Sequence, residues 1–280
     1  MVYFTKELPE PGQKDAEARL AELAENYTKL VMEYAELNGP YTKALEAEYQ
    51  LAFGHKETRI FELKLAIQRM RREFSIRQAA ASHGVILDDD EVEEQLAEEF
   101  QQFREQVEQL HSKLRQAQDF LGGKKLTVAE VKEIKRIFRE LAKRLHPDLN
   151  ADLPPIAEEL WRRAMDAYKA NDLQELRLVE DMAEEILAGQ RASTKTMDPL
   201  EVLQQRIVKL EGKIADLKER IAAIQTQFPF TEKELLANPE AVSERRRLLD
   251  QQIGDLLARL EEVTAMVQKL RRSRGGQGNG

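Results

Sequence analysis

Residues 131–148 read VKEIKRIFRELAKRLHPD, and this stretch decides how the middle of the chain is interpreted. Its apolar side chains recur every three or four residues, a spacing that places them on one stripe of an α-helix. They are Val131, Ile134, Phe138, Leu141 and Leu145. Against two acidic residues, the remaining faces carry six cations: Lys132, Lys135, Arg136, Arg139, Lys143 and Arg144. The pattern predicts a short amphipathic helix with a positive surface.

Both ends of this helix are marked in the sequence. Thr127 is followed three residues later by Glu130, a capping-box pattern that predicts a helix start near Val128. Pro147 disfavours helical geometry at the residue before it and lacks the amide N–H that would extend the helix. We therefore expect the helix to end at His146 and to leave His146 and Asp148 on an exposed corner.

A second helix should follow after a short loop. Residues 149–155 contain Asn150, Asp152 and two adjacent prolines, which is typical of loops, and an apolar pattern resumes at Ile156. The inner face of the second helix is predicted to carry Leu160, Trp161, Ala164, Ala167, Tyr168 and Leu173. Two helices joined by an exposed loop form a hairpin. Its predicted core consists of Ile134, Phe138, Leu141, Trp161, Ala164 and Tyr168.

From Glu130 to about Leu173, the chain resembles the J-domain, the signature of DnaJ-type co-chaperones. That family carries His-Pro-Asp in the loop between its helices II and III. Here the sequence IFRELAKRL before His146 resembles helix II, and Met165 to Tyr168 resembles the Asn-Glu-Ala-Tyr of helix III. Trp161 stands where the family usually has Phe.

The resemblance implies a partner. In J-domains the tripeptide and the basic face of helix II engage an acidic surface of a DnaK-type heat-shock ATPase and stimulate its ATP hydrolysis. By this resemblance His146, Pro147 and Asp148 are the triggering residues. The docking face consists of Lys135, Arg139, Lys143 and Arg144. A cationic helix can steer encounter with an anionic partner, while a short rigid corner makes the specific contact.

The chain departs from the family pattern in three further places. Helix I normally carries Tyr-Tyr and Leu-Gly, of which only the Phe-Leu-Gly-Gly of residues 120–123 remains, so we expect the end of a coiled coil to replace helix I. Phe138 replaces the usual Tyr, and Glu140 stands where the family commonly has a basic residue. A simpler alternative is that His146 is an ordinary turn residue and Asp148 a loop cap.

The rest of the chain has the composition of long helices. Of its 280 residues, 34% are charged and 6% aromatic. Two C-terminal stretches repeat the a/d spacing of a coiled coil, from Leu203 to Ile224 and from Leu249 to Leu270. The connector between them contains Phe228, Pro229 and Phe230, so we expect an antiparallel hairpin with these residues at its tip. Dimerisation through the same seams is the alternative.

The N-terminal part contains similar seams: Leu20 to Leu37, Ile60 to Phe74 and Leu96 to Ala117. They predict an antiparallel helical bundle. The predicted fold is therefore all-α, with long antiparallel coiled-coil helices flanking a small J-domain-like hairpin. The predicted divisions are 1–120 for the N-terminal helices, 121–190 for the J-like segment, 191–272 for the C-terminal hairpin and 273–280 for a disordered glycine-rich tail.

Several functional classes are disfavoured. The chain has no cysteine, and its other histidines are scattered, so we expect no metal site. We find no nucleophile motif or phosphate-binding loop, and we predict neither enzymatic activity nor a cofactor. No apolar run is long enough to cross a bilayer, and Met1 to Pro11 does not resemble an export signal. A net charge of -8 argues against general nucleic-acid binding. We expect a cytoplasmic protein.

The sequence thus predicts a non-enzymatic J-domain co-chaperone that stimulates a DnaK-type ATPase. Its coiled-coil arms would bind a partner or client that the sequence does not identify. One alternative is a coiled-coil scaffold whose J-like segment no longer stimulates the chaperone. A second is a helical adaptor that binds nucleic acid or a ribosomal surface through the basic helix and the C-terminal arginines.

Overall fold

A computed structural model describes residues 12–85, 87–123, 126–150, 153–190 and 199–275. The described part of the chain is all-α and contains no strand, as predicted. A π-helical turn at Gln50–Gly54 and a 3₁₀ turn at Phe230–Glu232 accompany eleven described α-helices. These are α1 (Gln13–Leu37), α2 (Pro40–Tyr49), α3 (His55–Ser82), α4 (Asp89–Glu99), α5 (Gln101–Gly122), α6 (Val128–Leu145), α7 (Pro155–Ala170), α8 (Leu173–Gln190), α9 (Leu200–Gln225), α10 (Lys233–Ala237) and α11 (Pro239–Gly275).

The helices form two compact units, each assembled from two separated parts of the chain. The first unit contains described residues up to 43 together with 126–231, and the second contains 44–123 together with described residues from 232 onward. Each unit therefore combines an N-terminal helix with a C-terminal one. Of the predicted J-like segment 121–190, the described residues from 126 onward belong to the first unit, whereas residues 121–123 belong to the second.

In the first unit, α1 and α9 run parallel to each other. Near the start of α1, Arg19 forms an ion pair with Glu211 at 3.0 Å, and just beyond its end the rings of Tyr41 and Phe230 lie 5.7 Å apart. Both helices bury an apolar stripe in the same core. The stripes consist of Leu23, Tyr27, Val31 and Ala35 on α1 and Leu210, Ile214, Leu217 and Ile221 on α9.

The same core contains α6, α7 and α8. These three helices pack on one another, and α1 packs on α6 and α7. The amphipathic pattern of α6 places its apolar stripe inward, so that Phe138 and Leu141 are fully buried. All six side chains that the sequence assigned to the hairpin core are buried in this cluster: Ile134, Phe138, Leu141, Trp161, Ala164 and Tyr168.

In the second unit, α3 and α11 also run parallel. Lys56 pairs with Asp250 near the start of α3, and Glu73 pairs with Arg271 further along both helices. Helices α4 and α5 pack along α3 in the opposite sense. The side chains of Glu62 and His111 lie 2.9 Å apart across this contact.

These pairings correct the antiparallel C-terminal hairpin expected from the sequence. The seams of α9 and α11 pack on α1 and α3 respectively, and both pairs are parallel. A stripe with three- and four-residue spacing specifies that a helix has an apolar face, but not which helix covers it or in which direction. Parallel neighbours need a long connection, and the chain between α1 and α9 supplies one.

The structure describes part of the predicted C-terminal tail and bears on the expected absence of membrane-spanning helices. Residues 273–275 were predicted to belong to a disordered tail but form the end of α11. Residues 276–280 and the segment Met1 to Pro11 lie outside the described residues. Along the described helices, none combines the length and apolarity needed to cross a membrane.

A buried carboxylate ties α11 to α3. The Glu73 side chain is 1% exposed, and its Oε1 accepts hydrogen bonds from Arg77, at 2.7 Å, and from Arg271. Its Oε2 has no hydrogen-bond partner among the described residues. Without Glu73, the buried Arg77 would keep only its pair with Asp89 at 2.6 Å, and Arg271 would lose its carboxylate partner. Breaking a buried charge network of this kind costs about 3 kcal/mol.

We therefore expect Glu73→Ala to lower the free energy of unfolding by about 3 kcal/mol in urea denaturation followed by circular dichroism. The matched control is Glu244→Ala, because Glu244 pairs with Arg247 on an exposed surface and such pairs contribute little. Equal unfolding midpoints for the two variants would contradict a structural role for the buried carboxylate.

Candidate functional site

The corner at the end of α6 is a hydrogen-bonded turn. His146 adopts an extended backbone with φ −64° and ψ 125°, as expected for a residue before proline. Its carbonyl accepts hydrogen bonds from the amides of Leu149 and Asn150 at 3.0 and 3.1 Å. The Asn150 side chain also donates to the carbonyl of Lys143 at 2.9 Å. These bonds satisfy carbonyls at the end of α6 and fix the course of the chain through Pro147.

The His146 imidazole is held on several sides. Its Nδ1 accepts a hydrogen bond from the Asp148 amide at 3.1 Å. The Tyr27 ring meets it edge-on at 5.0 Å, and the Trp161 ring lies 4.9 Å away. Burial lowers the pKa of His146 to about 4, although the nearby Asp148 charge acts in the opposite direction. The imidazole is therefore neutral near pH 7, with its proton on Nε2 because Nδ1 is the acceptor.

The Asp148 carboxylate faces α1 and α9. The Tyr27 hydroxyl donates a hydrogen bond to Asp148 Oδ2 at 2.6 Å, and Lys213 Nζ lies 3.5 Å from Oδ1. Burial acts to raise the pKa of Asp148, but the Tyr27 hydrogen bond and the neighbouring His146 and Lys213 lower it below its usual value. Asp148 is therefore ionised at neutral pH, and both of its carboxylate oxygens have partners.

Three of the four predicted docking cations face α1. Lys135 pairs with Glu36, Arg139 pairs with Glu25, and Lys143 pairs with the other oxygen of Glu25 at 3.0 Å. The C-terminal part of α1 thus meets the first half of α6, and the two helices run antiparallel. The spacing of four residues between successive cations places them on one stripe of α6.

The fourth cation, Arg144, lies 3.8 Å from Glu184 of α8. A hydrogen bond from Lys143 lowers the pKa of Glu25 below its usual value, and Arg139 lowers it further, although burial opposes both. All of these side chains remain substantially exposed, so each ion pair contributes little to stability. The pairs instead determine which carboxylate each cation faces: Glu36 for Lys135, Glu25 for Arg139 and Lys143, and Glu184 for Arg144.

Aromatic rings of α6 and α7 stack in the core next to the corner. The ring of Phe138 lies 4.0 Å from that of Tyr168 and 5.5 Å from that of Trp161, in nearly parallel planes. Phe138 is fully buried, so this position needs no hydroxyl group and the departure from Tyr fits the packing. Trp161 contacts both Phe138 and His146, which joins the core to the loop.

The structure differs from the sequence prediction in how exposed the corner is. His146 and Asp148 were expected to be exposed but are half-buried. The reason is α1, which contributes Tyr27 to the corner, while α9 contributes Lys213. Tyr27 falls within the seam predicted from Leu20 to Leu37, and the sequence patterns did not single out Lys213. The hydroxyl of a tyrosine in an apolar stripe signals that a polar partner is required, but not which one.

The described residues contain no cluster of three or more side chains suited to binding a metal ion. The end of α5, where the family's helix I would be sought, belongs to the second unit and not to the unit that contains α6. Comparison with protein-family models, with curated proteins and with solved structures found no match.

The surroundings of His146 predict an unusual titration. We expect its imidazole resonances in two-dimensional NMR spectra to titrate with a midpoint near pH 4. Because the folded-state pKa lies below the usual value of 6.5, the unfolded chain binds the proton first. Stability should therefore fall as the pH decreases from 6.5 to about 4.

Tyr27→Ala should move this midpoint towards 6.5, because it removes a ring that shields the imidazole from water. Tyr34→Ala, two turns further along α1, is the matched control and should leave the midpoint near 4. A wild-type midpoint close to 6.5 would show that the imidazole is solvated and that α1 does not cover it.

Proposed function

We propose that the protein is a J-domain co-chaperone that docks on a DnaK-type heat-shock chaperone and stimulates its ATP hydrolysis. The observation that carries the proposal is the His146-Pro147-Asp148 corner at the end of a helix with a stripe of cations at Lys135, Arg139 and Lys143. A rigid loop next to a positive helix surface is the combination that the resemblance requires.

Charge supports the first step of docking. The three cations lie on one helix face over a length of about two turns, and a patch of one sign accelerates encounter with an acidic surface. Arg144 lies at the same end of α6 as the tripeptide. The interaction should therefore weaken with added salt without losing its specificity for the corner.

The corner supports the second step, in which a specific contact triggers hydrolysis. Pro147 restricts the backbone, and the hydrogen bonds that His146 and Asn150 make within the turn limit its motion. Asp148 presents a carboxylate and His146 a neutral imidazole with a proton on Nε2. A preorganised turn of this kind loses little conformational entropy on binding.

The remaining helices would serve as coiled-coil arms for a protein partner or client. The proposed arms are the long helix pairs α1 with α9, in the unit that contains the J-like hairpin of α6 and α7, and α3 with α11, in the other unit. Self-association through exposed parts of these arms is an alternative use. The arms carry the targeting function, and the chain supplies no ATP chemistry of its own.

A second candidate is a coiled-coil scaffold that has kept the J-like segment as a structural element. The observation that favours it is the use of His146 and Asp148 in internal contacts with Tyr27 and Trp161. In this case the tripeptide would fasten α1 to α7 and would not act on a chaperone.

Single-turnover ATP hydrolysis by a DnaK-type chaperone from the same cell separates the two candidates. We expect the wild-type protein to increase the hydrolysis rate and His146→Gln to abolish the increase. The matched control is His83→Gln, which makes the same chemical change at an exposed histidine in the second unit. It should stimulate as strongly as the wild type.

Folding must be checked in the same samples, because His146 packs on Trp161, the single tryptophan of the chain. Tryptophan fluorescence and circular dichroism of His146→Gln should match those of the wild type. Stimulation that survives in a folded His146→Gln variant would contradict the proposed trigger. If the folded wild type gives no stimulation, and folded variants designed to release α1, Glu25→Lys and Gly39→Val, also give none, the scaffold would be favoured.

A further inference from the structure

We infer that α1 is an intramolecular occupant of the docking face, so that a chaperone can reach the His146-Pro147-Asp148 corner only after α1 has moved away. The inference rests on the proposed function and adds regulation to the same site. It also specifies the class of competitor that the α6 surface accepts, which is a helix with appropriately spaced carboxylates.

Helix α1 and its neighbour α9 occupy the corner. Both functional side chains of the tripeptide are engaged by groups from outside the hairpin. Tyr27 covers the face of the corner with its ring against His146 and its hydroxyl on Asp148. Lys213 of α9 approaches the second oxygen of the same carboxylate. A partner that reads His146 and Asp148 would have to replace Tyr27 and Lys213.

Helix α1 also occupies the docking cations. Glu25 and Glu36 lie three turns apart on α1, and together they engage Lys135, Arg139 and Lys143. An acidic surface of a chaperone would need the same three cations. The two interactions are therefore mutually exclusive at the level of individual side chains. Helix α1 offers α6 the same chemistry that the proposed partner would offer.

Packing determines how firmly α1 is held. Its exposed ion pairs contribute little, whereas Leu23, Tyr27 and Val31 are each at most 5% exposed and remove apolar surface from water. The apolar contacts hold α1 in the unit, and the acidic residues set its register on α6. Weakening the charges should therefore shift the balance towards release without unfolding α1.

The end of α1 provides a second, independent way to release it. Gly39 is buried against the last turn of α7, where an added Cβ would lie 3.1 Å from Lys169 Cα and 2.9 Å from the carbonyl oxygen of Ala35. Both neighbours are backbone atoms, which cannot move aside easily. A larger residue at position 39 should push this end of α1 away from α7.

Two variants test the inference in the single-turnover assay. Glu25→Lys replaces the carboxylate that faces two docking cations with a like charge, and Gly39→Val disrupts the close approach to α7. We expect each to lower the protein concentration needed for half-maximal stimulation by roughly tenfold, because a larger fraction of molecules exposes the docking face. Neither residue belongs to the proposed docking face or trigger.

Matched controls separate release from simple changes in charge or size. Glu22→Lys adds the same charge to the same helix at a position that pairs only with Arg19 among the contacts described. Gly212→Val places the same side chain on α9, where an added Cβ meets no atom within 4 Å. Both controls should behave like the wild type.

Amide hydrogen exchange of His146 and residues 148–150, measured on the protein alone, gives a readout that does not involve the chaperone. We expect faster exchange in Glu25→Lys and Gly39→Val than in the wild type and the two controls. Faster exchange together with stronger stimulation would support both the inference and the proposed function.

Two other outcomes are distinguishable. If the wild type already stimulates as strongly as both variants, the covering role of α1 is wrong, while the co-chaperone function stands. If exchange becomes faster but no variant stimulates the chaperone at any concentration, the proposed function is wrong, and the inference that depends on it fails as well.

Discussion

The contact on which the first unit depends is that of Tyr27 with the corner after α6. Tyr27 belongs to the apolar stripe of α1 and is 4% exposed, so its ring stabilises the packing of α1. A buried phenol needs a hydrogen-bond partner, and the Asp148 carboxylate provides one. The hydroxyl pKa rises because burial and the adjacent negative charge both disfavour ionisation. One side chain thereby links hydrophobic packing to the polar loop.

Apolar and polar contacts of α1 have different roles: the first stabilise its packing, and the second set its register. Each large apolar side chain that becomes buried contributes about 1.5–3 kcal/mol, whereas exposed ion pairs contribute far less. The stripe therefore determines that α1 lies in the unit. The carboxylates of Glu25 and Glu36 determine the register of α1 on α6, because a shift by one turn would move them away from Lys135 and Lys143.

Local features could be read from the sequence, and nonlocal ones could not. The capping box at Thr127, the stop at Pro147 and the burial of Phe138 and Trp161 follow from patterns within a few residues, and the structure contains each of them. The partner of each apolar stripe depends on residues far along the chain. Arg19 pairs with Glu211, 192 positions away, and no periodicity encodes that choice. The cover over His146 was missed for the same reason.

Because the groups that cover the tripeptide are not encoded locally, the tripeptide alone is compatible with both a co-chaperone and a scaffold. With α1 packed on α6, Asp148 accepts a hydrogen bond from the Tyr27 hydroxyl and lies near the Lys213 ammonium group, while the cations of α6 face carboxylates. An acidic partner would exchange these interactions for others of the same kind, so the polar free energies of the two states largely cancel. The difference then depends on the apolar surface of α1. A scaffold and a regulated co-chaperone thus share one folded geometry and differ in how readily that surface separates.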